Sequence, residues 1–132
     1  MNEQEFKKRT KSMALRVIKM TEALPNSRAV DVLTRQLMRS ATSVGANYRA
    51  ACRSRSSADM ISRLSIVEEE ADESICWIEL LTEAGFVGAK KVAPLSREIE
   101  EILRMTVASI KMLRHGPIQN PKSKIQNPKC VA

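Results

Sequence analysis

Residues 28–53 read RAVDVLTRQLMRSATSVGANYRAACR, and this stretch decides the fold. Val30, Leu33, Leu37, Ala41, Val44, Tyr48 and Cys52 recur at intervals of three and four. Positions so spaced share one face of a helix with 3.6 residues per turn. A strand would place apolar residues at every second position, and no run of useful length in the chain does so. Gly45 lies inside the apolar stripe, where glycine costs roughly 1 kcal/mol relative to alanine. That cost predicts a reason for keeping it, such as close approach of a neighbouring helix. Opposite the stripe, Arg28, Arg35, Arg39, Arg49 and Arg53 fall within a sector of about 80°.

Working outward, the same periodicity appears three more times. Phe6, Met13, Val17, Met20 and Leu24 predict a first helix over Glu3–Leu24. Pro25 ends it, because proline disfavours helix in the residue before it. Ser27 or Asn26 is placed to cap the second helix. Ser56 with Asp59 fits a capping box for a third helix, whose core stripe is Met60, Leu64, Val67, Ala71, Ile75, Ile78 and Leu81. Gly85 follows as a left-handed terminator. A fourth helix, from Ala89 or Val92 to Arg114, carries Leu95, Ile99, Ile102, Thr106, Ser109 and Leu113. Pro94 is expected near its first turn, and Gly116-Pro117 is expected to stop it. Connections this short make neighbours antiparallel. The expected fold is therefore all-α: an antiparallel up-down-up-down four-helix bundle over residues 3–115.

Composition agrees. The chain has 132 residues, one domain's worth. Of these, 43% are hydrophobic, but only Phe6, Tyr48, Trp77 and Phe86 are aromatic. Such a core must be aliphatic, which suits helix-on-helix packing. Residues 116–132 differ. They repeat a seven-residue unit, Ile118-Gln119-Asn120-Pro121-Lys122-Ser123-Lys124 and then Ile125-Gln126-Asn127-Pro128-Lys129. A proline in each unit opposes continuous helix, and the composition cannot bury a core. A disordered C-terminal tail is expected, either a translated repetitive element or a basic arm.

Charge is segregated. The net charge is +7, which favours a polyanionic partner. Residues 28–55 hold six arginines and one aspartate, whereas residues 56–84 hold eight acidic residues and one arginine. The arginines could pair with the acidic helix beside them, meet phosphate, or meet the acidic stripe of another subunit. Arginine's planar fork suits each of these partners. The leading nucleic-acid contacts are Arg35, Arg39, Arg49 and Arg53, with Lys7, Lys8, Arg9 and Lys11 behind them. On the third helix Ile66, Trp77 and Leu80 lie away from the core stripe. With Glu69 and Glu73 they predict an oligomer interface, since tryptophan is favoured in such contacts.

Catalytic chemistry is not apparent. His115 is the sole histidine and sits where it would favour a helix C-terminus. Cys52, Cys76 and Cys130 have no zinc or redox spacing; buried structural thiols are the ordinary case. The acidic run Glu68–Glu73 lacks the Glu-x-x-His pairs of di-iron bundles. No catalytic residues, metal or cofactor are expected. A polar N-terminus and the absence of a long apolar run predict a cytoplasmic protein with no membrane contact.

With these helices placed, residues 36–50, QLMRSATSVGANYRA, resemble the hallmark of the 23S rRNA intervening-sequence protein (S23) family. So does Arg53-Ser54-Arg55-Ser56 followed by the helix ending EEEADESICWIELL at residues 68–81. The resemblance covers residues 5–114 and leaves out the repeated tail. It implies an up-down bundle assembled as a ring-shaped homopentamer. It also implies kinship with the accessory variability protein of diversity-generating retroelements, a basic pentamer that binds nucleic acid and a reverse transcriptase. The expected function is a non-enzymatic homo-oligomer binding RNA, DNA or an RNA–protein complex. The alternative is a protein–protein scaffold, such as a reverse-transcriptase accessory factor, without nucleic-acid contact.

Overall fold

The computed structural model describes residues 2–119. It contains four helices: α1 (Glu3–Glu22), α2 (Arg28–Ala51), α3 (Ser57–Glu83) and α4 (Ala89–Gln119). Each helix packs on its neighbours in chain order, and α1 returns to α4 to close a four-helix bundle. Contacts between α1 and α2 run in opposite senses: Phe6 meets Tyr48, and Thr10 faces Gly45. That is the pattern the expected up-down order would produce.

Local chemistry sets the helix ends. The Asn2 side chain accepts the Glu5 N–H at 2.8 Å, Ser27 accepts from Val30, and Ser56 accepts from Asp59. Each satisfies a donor that the first turn leaves free. Only the first arm of the capping box forms at Ser56, because the Asp59 carboxylate turns instead to Arg63. At the end of α3, Phe86 N–H donates to the Leu81 carbonyl and Gly85 N–H to the Thr82 carbonyl. Gly85 takes φ 85°. This is a Schellman motif, in which a residue without a Cβ carries the left-handed turn.

Helix α4 starts at Ala89, the earlier of the two expected starts, so Pro94 falls just past the first turn and the Lys90 carbonyl loses a helical donor. Lys90 is exposed, so water can take that place. One expectation about α4 is corrected: the helix continues past Gly116-Pro117 to Gln119. The clash that normally unseats the residue before proline involves its Cβ, which Gly116 lacks. The proline's missing N–H still costs the Leu113 carbonyl its helical donor, a loss confined to the C-terminal end of α4. The expected boundary at residue 115 therefore falls within α4, and His115 precedes the last turn rather than capping it. Residues 120–132 of the expected tail lie outside the described residues.

The core follows the stripes read from the sequence. Phe6, Met13, Val17, Leu37, Val44, Tyr48, Leu64, Val67, Leu81, Ile99 and Ile102 are all essentially inaccessible. Met20, Leu24, Leu33 and Ile75 are only half-buried at the core's edge. Small polar residues complete it. Ser40 and Ser74 are fully buried and share a 2.8 Å hydrogen bond between α2 and α3. Each hydroxyl also lies within reach of a carbonyl of its own helix: one donates to the other serine and the second to its own carbonyl, so neither is buried without a partner. Among the described residues, no helix is long and apolar enough to cross a membrane.

Candidate nucleic-acid interface

The site begins with the close approach of α1 to α2. A Cβ built on Gly45 would stand 3.1 Å from Thr10 Oγ1, so glycine permits a spacing that alanine would crowd. Beneath this contact the Phe6 and Tyr48 rings meet at 4.4 Å, tilted by 57°, a favoured aromatic geometry. Around Gly45 the facing residues are also small: Ala14, Thr42 and Ala46. Between the two helices they floor a shallow groove of about 970 Å³.

Cations form the groove's walls. Lys7, Lys8 and Lys11 come from α1, and Arg49 and Arg53 from the end of α2. Glu5 is the one acidic residue in the lining. Lys7 pairs with Glu3 at 3.0 Å. Among the described residues, Lys8, Lys11, Arg49 and Arg53 have no carboxylate partner. All four are exposed. A trough with a low floor and unpaired cations on both walls suits a chain of phosphates, which must approach closely to exchange its counterions for fixed charge.

The remaining expected cations are not in this groove. Arg9 turns toward α4, where Nε and Nη2 hold both Glu98 oxygens at 2.9 and 2.6 Å. Nη2 also reaches Glu101 at 2.8 Å. The Glu98 hydrogen bonds raise the Arg9 pKa, with Glu101 adding to them and partial burial opposing them. Arg9 thus ties α1 to α4. Arg35 pairs with Asp31 one turn away at 2.6 Å, exposed on both sides. Arg39 crosses to α3, binding Glu70 at 3.3 Å and also Glu73. The Glu70 hydrogen bond is the main reason its pKa is raised, with Glu73 contributing. Of the three sequence-based options for the arginine stripe, pairing with the acidic helix beside it describes Arg39. It does not describe Arg49 or Arg53.

The residues expected at an oligomer interface lie together on α3. Ile66 is 38% exposed, Leu80 is 43% exposed, and Glu69 is exposed. Trp77 is only half-buried and packs against the core rather than standing behind it, while its indole N–H donates to Glu73 at 3.3 Å. Val32 of α2, not singled out from the sequence, is 53% exposed. Cys52 is buried, but Cys76 is exposed, contrary to the expectation that both helical thiols are buried. Cys130 lies outside the described residues. Among the described residues, no group of histidine, cysteine and carboxylate side chains could hold a metal ion.

Sequence reading missed the groove floor. Thr42, Gly45, Ala46, Arg49 and Arg53 are themselves spaced by three, four and one, a face of α2 that ends in two cations. That signal was legible, but its partner face on α1, with buried Thr10 at the contact, was not.

Comparisons with known proteins agree with the fold. Residues 2–108 match the family model described as 23S rRNA-intervening sequence protein. A solved structure from Bacteroides thetaiotaomicron, described as a protein of unknown function from the S23 ribosomal protein family, superposes with a TM-score of 0.75. It is 31% identical, and the match covers 80% of this chain and 98% of that one. No curated protein gives a match.

Proposed function

Because the chain belongs to the 23S rRNA-intervening sequence protein family, we propose that it acts by binding rather than by catalysis, and that the α1–α2 groove holds the sugar–phosphate backbone of RNA. One observation carries this reading. Lys8, Lys11, Arg49 and Arg53 line a single groove and have no carboxylate partner among the described residues. Cations paired within the chain would have to break those pairs before contacting phosphate. These four do not.

The test is filter binding of a single-stranded RNA and a hairpin of equal length across a salt series. Four phosphate contacts to a single strand correspond to a slope of log K against log salt of about −3. Absence of retention at low salt would overturn the proposal.

A second reading rests on the α2–α3 face. Val32, Ile66 and Leu80 are exposed aliphatics beside half-buried Trp77, which supports self-association through that face. The ring-shaped pentamer implied by the family resemblance is one form it could take. Sedimentation of Leu80→Lys against the parent chain tests it: a parent that is monomeric at micromolar concentration removes the idea. An oligomer that falls apart with salt but ignores RNA would instead favour a protein scaffold, with a reverse transcriptase as one such partner.

A further inference from the structure

A second cavity, of about 460 Å³, opens where the α1–α2 turn meets the α3–α4 turn. Met20, Leu24, Phe86, Val87, Val92 and Leu95 give it an apolar floor. Arg16, Lys19 and Lys91 stand around it, and no acidic residue lines it. Among the described residues none of these three cations has a carboxylate partner. Lys19 lies in the last turn of α1, where the helix dipole favours a cation. That account fails for Lys91, which sits in the first turn of α4 beside Lys90, with no acid in that turn. Three like charges therefore border an apolar hollow with no carboxylate partner among the described residues.

We propose that this cavity binds a small amphipathic anion, an aliphatic chain ending in a carboxylate. The chain lies on the apolar floor, and the carboxylate is held by Arg16, Lys19 and Lys91. The volume is that of a small-molecule site. Besides its three cations, the lining offers no hydrogen-bonding side chain but the weakly accepting Met20 thioether. A nucleobase laid on it would leave its polar edge unpaired, whereas an alkyl chain leaves nothing unpaired. The side chains of the chain's own C-terminal segment are wrong on charge, since residues 120–132 hold Lys122, Lys124 and Lys129 and no aspartate or glutamate.

The experiment is a ¹H–¹⁵N titration of the full chain with sodium octanoate, and in parallel with 1-octanol and sodium acetate. Octanoate should saturably shift the amides of Gly88, Lys91 and Val92 and leave residues 42–53 of the α1–α2 groove unmoved. Octanol lacks the charge and acetate lacks the chain, so each should bind at least about tenfold more weakly. Lys19→Glu with Lys91→Glu should weaken octanoate at least about tenfold with little net change in the unfolding midpoint, because both lysines are exposed and the reversal costs at the end of α1 what it gains at the start of α4. Lys19→Ala with Lys91→Ala serves the same end should the reversal disturb folding. No saturable shift, equal binding of octanol or acetate, or indifference to both double variants would each overturn the proposal. RNA added in place of octanoate should move residues 42–53 instead, so the two sites fail independently.

Discussion

Arg39 and Arg49 lie on the same outward face of α2 and have opposite fates. Arg39 is held by Glu70 and Glu73 of α3. Arg49 stands in the α1–α2 groove with Arg53, Lys8 and Lys11 and has no carboxylate partner among the described residues. The residue type and the helix are the same; the neighbouring helix differs. A charge on a bundle is assigned its role by what the next helix carries at that level. The acidic block of α3 engages the middle of α2, so the surplus positive charge is left at the α1–α2 end. The net charge of +7 is thus less informative than the place where it goes unpaired.

The largest expected effect comes from breaking the support beneath that place. Phe6 is 1% exposed and packs at a tilt against Tyr48, 2% exposed, at the level of the groove. Phe6→Ala removes a buried ring and leaves a cavity between α1 and α2, at a cost of about 3–5 kcal/mol. Urea unfolding measures it. A cost near 1 kcal/mol would mean that α1 is not anchored there, and the groove would lose its rigid wall. In that case the contrast between the two ends of the arginine stripe would carry no functional meaning.

Next in size is the direct comparison. Arg49→Glu with Arg53→Glu should weaken RNA retention by at least about tenfold at low salt and make the salt slope shallower by about 1.4, as two of four phosphate contacts are lost. Arg35→Glu with Arg39→Glu should change RNA retention far less. Its effect belongs to the α2–α3 contact, where it sets a new carboxylate against Glu70 and Glu73, and it should appear as a lower unfolding midpoint. Filter binding and thermal unfolding on both pairs separate the roles. Equal loss of RNA from the two pairs would erase the distinction and restore a continuous arginine stripe.

Much of the fold was legible because periodicity reports each helix's own buried face, and short connections report which helices are neighbours. Leu37, Val44, Leu64 and Ile102 were readable for that reason. The site was half legible. Lys8, Lys11, Arg49 and Arg53 could be named from their exposure and charge. Arg9 and Arg39 could not be set apart from them, because their partners Glu98 and Glu70 are far away in sequence, and only the packing of helices brings them near. The exposure of Trp77 was overestimated from the sequence, as it packs partly against the core. Its angle on α3 is outward, but a long side chain at the edge of a stripe can lean back onto the core. The stop expected at Gly116-Pro117 is passed by α4; glycine, usually a breaker, lacks the Cβ that is part of the clash with a following proline.

The smallest expected effect is also the sharpest test of the groove's geometry. Gly45→Ala gains up to about 1 kcal/mol of helix propensity. Against that gain, the new methyl meets Thr10 Oγ1 at 3.1 Å. Thr10 is 1% exposed and its hydroxyl donates to the Lys7 carbonyl. A β-branched side chain on a helix has few rotamers to escape into, so α1 must yield instead, and contacts along the α1–α2 seam loosen. The two terms offset, and the net change should be below about 1 kcal/mol. In a Thr10→Ala background the obstruction is gone, and Gly45→Ala should stabilise by nearly its full propensity. A double-mutant cycle reads the difference as coupling between the two positions, on the order of 0.5–1 kcal/mol for residues in contact. RNA affinity should stay within about twofold throughout, because one methyl raises the groove floor slightly and removes no cation. If Gly45→Ala stabilises equally in both backgrounds, α1 does not press on α2 at this level, and the shallow floor that distinguishes the Arg49 end of the helix from the Arg39 end is not held in place by Gly45.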